Sequence, residues 1–307
     1  MTAPDSVNFT RTKNTGSRLS WQGLHLSVPE KWNPLKLDGD DAKGSLLLAD
    51  LHRSRLAVRW SVLPEKTDPE KWSSRVMTEE VGALAASEAV AHDPGSQWAA
   101  SRLYVEPDPP GRDVWVGMHR ATRRGVEVVY QAKRRDRVLV DSVLPGLYDT
   151  GRSGEGAAMW SVFDLNFTLP RWIPLVGKTL NAGDLSLSFA DKQTAITVRQ
   201  VAVAQLALKR FTLEQWLGRM QWVDRARFKP VGEANRVEFV TVNGRALAGW
   251  SRRMVQRRRY AWMRWAWREL TTLALHDVSR DRLIFVQGTD PQLPTRVAET
   301  VGDASNV

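Results

Sequence analysis

The feature that most constrains the fold of this chain is a short segment that occurs twice. Residues 24–32 alternate apolar and polar side chains, stop at a proline and reach a tryptophan, and residues 165–172 repeat that pattern. Alternation with a period of two predicts a β-strand, and proline is expected where the strand ends. Further pairs of similar segments follow in the same order: 45–50 and 186–191, 56–59 and 196–199, 70–75 and 214–219, and 136–138 and 281–283. So many matches in one order predict an internal duplication.

The duplication divides the 307 residues into two halves of ordinary domain size. Each half is large enough to bury its own core. The predicted organisation is a polar N-terminal lead-in, a first α+β domain, a linker, a second α+β domain and a polar C-terminal tail, over residues 1–18, 19–147, 148–158, 159–290 and 291–307 respectively.

Each half is predicted to contain three strands, one main helix and a meander of further strands. Asp68 can cap the first helix, which is expected to run to about Val90, and Thr212 opens a shorter helix through a capping box with Gln215. Sequential strands joined by short turns form an antiparallel sheet, and the last strand of the first meander is expected over residues 137–143. The predicted fold class is therefore α+β, an internal duplication of two domains, each an antiparallel sheet packed on one main helix.

This element order, with a strand that ends in Pro-x-x-Trp at Pro29 and Trp32 or in Pro-x-Trp at Pro170 and Trp172, resembles the PsbP-like fold. That fold is known from extrinsic subunits of the oxygen-evolving complex and from related bacterial proteins. The resemblance covers each half, but neither copy closes with the long helix of that fold. It implies a non-catalytic scaffold that binds other macromolecules, and no binding residue is carried over from it.

Composition narrows the class of protein. The chain has no cysteine, which excludes disulfides and cysteine-ligated metals and fits a reducing compartment. The first twenty residues are polar, no run approaches the ~18 apolar residues that would span a bilayer, and we expect a cytoplasmic protein. The net charge is +10, supplied mostly by arginine. Either codon composition or an anionic partner explains that excess.

The sequence offers no convincing catalytic or metal-binding arrangement. None of the histidines has the spacing of a zinc site, and they are His25, His52, His92, His119 and His276. His119 is the best candidate for acid–base chemistry, although an ordinary, hydrogen-bonded strand residue is the favoured interpretation, and His25 is expected at the surface. We therefore predict no metal and no cofactor, and an enzyme is the least favoured class.

Tryptophan is expected to build the cores. A Glu-x-Trp-x-x-Arg motif occurs in both halves around Trp72 and Trp216, where the indole is predicted to anchor a helix to its sheet. The other tryptophans expected at core or core-rim positions are Trp21, Trp32, Trp60, Trp160 and Trp172.

Basic residues cluster in corresponding regions of both halves. The candidate binding residues are Arg123, Arg124, Arg134 and Arg135 in the first half, and Arg252, Arg253, Arg257, Arg258, Arg259, Trp262 and Arg264 in the second. Arginine interleaved with aromatic residues is typical both of nucleic-acid platforms and of protein interfaces. The alternative is that strand pairing buries the apolar residues while the arginines face water.

These observations predict a non-catalytic binding or scaffold protein with a basic interaction surface. Its partner is expected to be an anionic macromolecule, an acidic protein surface rather than nucleic acid. A nucleic-acid-associated protein that binds through the same arginine and aromatic residues is the alternative, and an enzyme of unrecognised type is third.

Overall fold

The computed structural model describes residues 16–108, 110–132, 136–151, 156–181, 183–219, 228–256 and 269–302. The chain divides into two compact units, unit 1 with Met1–Leu19 and Leu24–Thr150, and unit 2 with Ser20–Gly23 and Gly151–Val307. Antiparallel sheets and a few short helices make up both units, as in a mixed α+β or mostly β protein. Among the described helices, none is both long enough and apolar enough to cross a membrane.

The first ten strands lie wholly or partly in unit 1. They are β1 (Gly16–Trp21), β2 (Leu24–Pro29), β3 (Asn33–Gly39), β4 (Lys43–Ala49), β5 (Ser54–Val62), β6 (Val90–Ala91), β7 (Trp98–Tyr104), β8 (Arg112–His119), β9 (Arg124–Gln131) and β10 (Tyr148–Asp149). Seven of them form an antiparallel sheet in the order β3-β4-β5-β9-β8-β7-β6, and β10 pairs with β2. Strands β5 and β9 are neighbours in this sheet although they are far apart in sequence.

Two helices follow β5. Helix α1 (Pro69–Val81) begins at Asp68, whose side chain accepts hydrogen bonds from the backbone N–H groups of Glu70 and Lys71. The prediction of one helix to Val90 is wrong, because Gly82 adopts φ 86°, outside the helical region, and a separate helix α2 (Ala83–Glu88) starts after it.

Helix α1 lies against one face of the seven-stranded sheet. Met77 forms a buried cluster with Val114, Val116 and Val129 from the two central strands β8 and β9. A single helix continuing to Val90 would place Leu84 on the same face as Met77, but Leu84 is 82% exposed. The opposite face of the sheet carries the other large buried side chains, among them Leu46, Val58, Trp60, Trp115, Val126 and Val128.

The strand expected over residues 137–143 is also wrong. Leu139–Val143 forms a π-helical turn, and a 3-10 turn over Leu144–Gly146 follows it. Both ends of the first turn are buried, together with Leu144, while Asp141 between them is exposed. Burial at a spacing of four residues favours helical backbone over the alternation that a strand requires.

Unit 2 contains the remaining strands. They are β11 (Ala157–Val162), β12 (Leu165–Pro170), β13 (Leu175–Asn181), β14 (Asp184–Ala190), β15 (Ala195–Ala202), β16 (Phe228–Val240), β17 (Ala246–Gln256), β18 (Glu269–Asp277) and β19 (Arg282–Gly288). Seven form an antiparallel sheet in the order β13-β14-β15-β19-β18-β17-β16. Strand β11 pairs with β12 along its length and with β1 at Ser20 and Ser161.

The described part of unit 2 also contains three helices: α3 (Ala204–Arg210), α4 (Leu213–Arg219) and α5 (Leu293–Thr300). The predicted capping box is present, because Gln215 N donates to Thr212 Oγ1 and Thr212 N donates to Gln215 Oε1. Helix α5 corrects the prediction of a polar tail over residues 291–307, since one side of it is buried through Leu293, Pro294, Val297 and Ala298.

The tryptophans divide between core and surface. Trp21 and Trp160 pack edge to face at 5.4 Å between ring centroids in the core of unit 2, and both are buried. Trp216 is half-buried at 6.5 Å from Phe285. Trp172 is 56% exposed, which corrects its prediction as a core or rim residue. It follows the proline that ends β12 and therefore lies in a turn outside the sheet.

Candidate functional site

Arg124, predicted as a surface binding residue, lies in the interior of unit 1 and is only 2% exposed. Its Nη1 donates to Asp149 Oδ1 at 2.8 Å, and its Nη2 donates to the carbonyl oxygen of Asp41 at 2.6 Å. Burial lowers the pKa of Arg124, while the charge of Asp149 opposes that shift. The prediction for this residue is wrong, because a guanidinium without solvent contact cannot meet a partner.

Arg123 has a structural contact of its own. Its Nη2 donates to the carbonyl oxygens of Pro64 and Thr67, and so ties the turn before β9 to the segment that leads into α1. The side chain is half-buried. Arg134 and Arg135 lie outside the described residues.

Two of the predicted binding arginines of unit 2 are described, Arg252 and Arg253, and each lies near a glutamate. Arg253 donates to Glu269 through Nε and Nη2 at 3.0 and 2.6 Å, and both side chains are exposed. Arg252 lies 4.0 Å from Glu214. Water screens exposed ion pairs and keeps them weak, so these arginines remain able to exchange partners. The other predicted residues, Arg257, Arg258, Arg259, Trp262 and Arg264, lie outside the described residues.

Two of the histidines, His119 and His25, are held by contacts within unit 1. His119 Nδ1 lies 3.0 Å from the hydroxyl of Thr122, which donates to Asp149 Oδ2 at 2.6 Å, and burial lowers the pKa of this histidine. This agrees with the interpretation of His119 as a hydrogen-bonded strand residue. His25 is buried, stacked on Tyr148 at 4.2 Å between ring centroids, so the surface position expected for it is wrong.

A groove on the helix-bearing face of the unit 1 sheet was not predicted. It has a volume of about 460 Å³ and lies between helix α1 and strands β3, β4, β5 and β9. Trp72 and Val76 of the helix form one wall, and the floor includes Gly39, Gly44 and Gly125. We call it the unit 1 groove.

Two glycines of the groove leave room for tryptophan rings. A Cβ atom on Gly125 would lie 2.5 Å from the Trp72 ring, and one on Gly44 would lie 2.2 Å from the Trp60 ring. A larger residue at Gly125 would displace the Trp72 indole that forms a wall of the groove, whereas Gly44 makes room for Trp60 on the opposite face of the sheet.

Strand register determines the polar residues of the groove. Arg59 is opposite Glu127 and Ser45, while Ser61 is opposite Gly125 and Lys43. Residues directly opposite one another on neighbouring strands share a face, with Cβ atoms roughly 5 Å apart. Strands β4, β5 and β9 therefore direct these side chains to the face that α1 leaves partly uncovered.

An ion cluster lies at one end of the groove. Arg59 Nη1 donates to Glu80 Oε1 and to Glu127 Oε1, each at 2.8 Å, and Arg112 donates to both the carboxylate and the backbone carbonyl of Glu80. Glu80 belongs to α1, Arg59 to β5, Glu127 to β9 and Arg112 to β8. The cluster thus connects the helix to three strands.

The two carboxylates of this cluster titrate differently. Burial raises the pKa of Glu127 to about 7, because the charge of Arg59 does not fully compensate for desolvation and for the nearby charge of Glu80. Burial also disfavours ionised Glu80, but hydrogen bonds from Arg59 and Glu127 and the charge of Arg112 leave its pKa lowered. Near neutral pH the pair therefore shares a proton, held mainly by Glu127.

The sequence did contain a signal for this cluster. Glu127 interrupts a strand that is otherwise apolar, between Val126 and Val128. A buried carboxylate in such a position requires a cationic partner, and Arg59 occupies the opposite register position. Without the pairing of β5 with β9, which are far apart in sequence, that partner could not be identified.

The pH dependence of stability tests this assignment. The pKa of Glu127 in the folded state lies above its ordinary value near 4.5, so the folded protein holds a proton that the unfolded chain releases between about pH 4.5 and 7. Its contribution to the free energy of unfolding is therefore complete below about pH 4.5 and is lost as the pH rises to about 7. Glu127→Gln, which stays neutral, should remove about 2–3 kcal/mol of that pH-dependent change in urea denaturation.

The matched control is Asp113→Asn, another buried carboxylate of unit 1, whose pKa burial raises to about 6. Above about pH 6, the free energy of unfolding of this control should change with pH as it does in the wild type. If the free energy of unfolding of Glu127→Gln changes between pH 5 and 8 as it does in the wild type, Glu127 is ionised throughout that range.

A second, larger cavity of about 790 Å³ lies elsewhere in unit 1, next to Trp32, Asp50 and Asp141. Its principal acid already has partners, since Asp50 accepts from Arg55 Nε at 2.6 Å and from the backbone N–H groups of His52 and Arg53. Within the described ranges, no three histidine, aspartate or glutamate side chains come together as metal ligands would. The unit 1 groove is therefore the stronger candidate.

Comparison with known proteins does not identify a family for this chain. No protein-family model matches the chain, and no curated protein matches it. A crystal structure of a protein from Bacteroides thetaiotaomicron is similar at 13% identity and a TM-score of 0.31, over 48% of this chain and 53% of that one. This chain therefore spans about half the length of that protein, and the similarity is too low to transfer a fold or a function.

Proposed function

We propose that this chain is a non-catalytic binding or scaffold protein whose basic tract, residues 252–268, binds an anionic macromolecule. The observation that carries the proposal is the concentration of charge. Residues 257–268 contain five arginines and no acidic residue, which equals half of the net charge of +10 within twelve residues. Like charges so close repel one another unless an anion is near, although water screens exposed charges.

The flanks of the tract are held in place. Residues 257–268 of the tract connect β17 to β18, and the flanking Val255 and Glu269 are register partners. A short segment with both ends fixed loses less conformational entropy on binding than a free tail does. This position supports a binding role for the arginines.

Neighbouring acidic residues favour a protein partner over nucleic acid. Glu269 and Glu214 lie beside Arg253 and Arg252. Such carboxylates repel a phosphate backbone, whereas a protein surface can match a mixture of charges locally. The aromatic residues interleaved in the tract also suit a protein interface: Tyr260, Trp262, Trp265 and Trp267.

We also propose that the two units arose by duplication, each as an antiparallel sheet with a main helix packed on it. Their seven-stranded sheets have the same strand order, with a crossover after the third strand. In corresponding positions Arg59 is opposite Glu127 and Arg199 is opposite Phe285. The resemblance to the PsbP-like fold and a cytoplasmic location remain proposals, and that resemblance implies the same non-catalytic class.

The test compares two triple variants of equal charge. Arg257→Gln, Arg258→Gln and Arg259→Gln remove three charges from the tract, and Arg53→Gln, Arg75→Gln and Arg120→Gln remove three from exposed positions of unit 1. The probe is a fluorescent peptide that alternates glutamate and leucine. We expect the tract variant to weaken peptide binding at least tenfold, or about 1.4 kcal/mol, and the control variant to change it less than twofold.

Equal weakening by both variants would show that only net charge matters. If neither variant changes peptide binding, the arginines of the tract form a solvated surface and the proposal fails.

A further inference from the structure

The unit 1 groove contains polar groups with no hydrogen-bond partner among the described residues. These are the side chains of Lys43, Ser45 and Ser61, and the Nε and Nη2 donors of Arg59, whose bonds to the two glutamates use Nη1 alone. Their four residues are register neighbours on β4 and β5 and share one face of the sheet. We call them the polar square.

The charge of the groove favours an anion. Lys43 and Arg59 line it, and the Arg59–Arg112–Glu80–Glu127 cluster is neutral when both carboxylates are ionised and positive when Glu127 holds its proton. The acid on the rim, Asp38, lies 3.7 Å from Lys36, which offsets its charge. Serine hydroxyls beside a guanidinium and an ammonium are the donors that carboxylates accept from most strongly.

The remaining wall of the groove is apolar. Trp72 and Val76 face the polar square from helix α1. A volume of about 460 Å³ lies within the range of roughly 300–1,000 Å³ for small-molecule sites. A ligand with a negatively charged end and a flat apolar end matches a groove that has the polar square on one side and an apolar wall on the other.

We propose that the unit 1 groove binds a small organic anion, a carboxylate attached to a flat apolar group. The polar square holds the carboxylate, and Trp72 and Val76 contact the apolar group. This role is separate from the basic tract of unit 2.

The corresponding region of unit 2 provides an internal comparison. By strand order, which replaces the sequence match of residues 136–138 with 281–283, the register pair Ser61 and Gly125 corresponds to Val201 and Leu283, and Glu127 corresponds to Phe285. Leu283 and Phe285 are fully buried in a cluster with Ala204 and Leu217 from the helices above them. Under the duplication proposed above, unit 2 is filled by apolar side chains where unit 1 keeps an open polar groove.

Proton binding should be linked to anion binding. Glu127 faces Arg59 from β5, Glu80 from α1 and, through Glu80, Arg112 from β8. When Glu127 loses its proton it attracts Arg59 and opposes an incoming carboxylate. Affinity for the anion should therefore fall about two- to fivefold as the pH rises from 6 to 8.

The experiment is calorimetric titration of the full chain with 2-naphthoate, its neutral amide and 2-naphthylmethylamine. We expect the anion to bind at least fivefold more tightly than the amide and the cation not to bind. Lys43→Gln should weaken naphthoate binding at least fivefold, and Ser61→Val, which copies unit 2, should abolish it. Lys71→Gln is the matched control, since Lys71 is exposed on α1 outside the groove, and it should leave affinity unchanged.

Circular dichroism and urea denaturation of each variant separate loss of binding from loss of folding, and Lys43 is exposed enough for its replacement to fold. Equal affinity for naphthoate and its amide would overturn the proposal. Naphthoate affinity that stays unchanged in the folded Lys43→Gln and Ser61→Val variants would also overturn the proposal. Arginine variants of the basic tract should not affect naphthoate, which keeps this test independent of the proposed function.

Discussion

Replacing Trp72 with alanine is expected to destabilise unit 1 by about 3–5 kcal/mol, the range for emptying a large aromatic core site. The indole is 8% exposed, packs with Leu63 and Met118, and lies directly over Gly125. Its removal leaves a cavity that the glycine below it cannot fill. Urea denaturation followed by circular dichroism measures the loss.

Trp172→Ala is the control for that prediction. The same residue type is removed from a position that is 56% exposed, and the cost should stay under about 1 kcal/mol. Trp216→Ala, at a half-buried site in unit 2, should fall between the two at about 2 kcal/mol. A loss for Trp72→Ala as small as that for Trp172→Ala would show that the indole is exposed in solution.

Breaking the Arg124–Asp149 ion pair is expected to destabilise unit 1 about as much as Trp72→Ala does. Arg124→Met removes the guanidinium and leaves a carboxylate with 0% side-chain exposure beside Thr122 and His119, which should cost about 3–5 kcal/mol. The cost arises because a buried charge without its counter-charge keeps its full desolvation penalty.

The double variant Arg124→Met with Asp149→Leu separates charge from packing. It removes both ionic partners, so it should be less destabilised than Arg124→Met alone, by about 1–2 kcal/mol. Urea denaturation of the two single variants and the double variant completes the cycle. A double variant whose loss equals the sum of the single losses would mean that the two side chains do not interact.

Local sequence patterns predicted much of the secondary structure. The capping signals at Asp68 and Thr212 begin helices as predicted, and the strands that end at Pro29 and Pro170 are present. These signals succeed because each depends on a few adjacent residues. The duplication itself stays a prediction, which the shared strand order supports.

The errors came from contacts between residues far apart in sequence. Arg124 follows a turn and so resembles a surface residue, but its position is determined by Asp149, 25 residues later. His25 is polar in an alternating strand, yet Thr150 and Tyr148 surround it. Residues 137–143 are apolar enough for a strand, and their burial at a spacing of four is decided by packing alone.

The candidate sites also separate into features that local sequence reveals and features that depend on contacts between distant residues. The groove could not be predicted because Arg59, Glu80 and Glu127 converge from three separate elements. The arginine clusters were visible in the sequence, but composition does not distinguish a buried pair such as Arg124–Asp149 from an exposed one such as Arg253–Glu269.

Direct competition between two anions tests the proposed function. The intact chain is saturated with the fluorescent glutamate–leucine peptide and titrated with a random single-stranded oligonucleotide of equal charge, at about 50 and 200 mM salt. We predict that the peptide is retained at both salt concentrations. Displacement by the oligonucleotide at low salt would contradict the account and assign the tract to nucleic acid. Its affinity would then fall along a log–log slope of about −3.5, as the five arginines of residues 257–268 would give on a single strand.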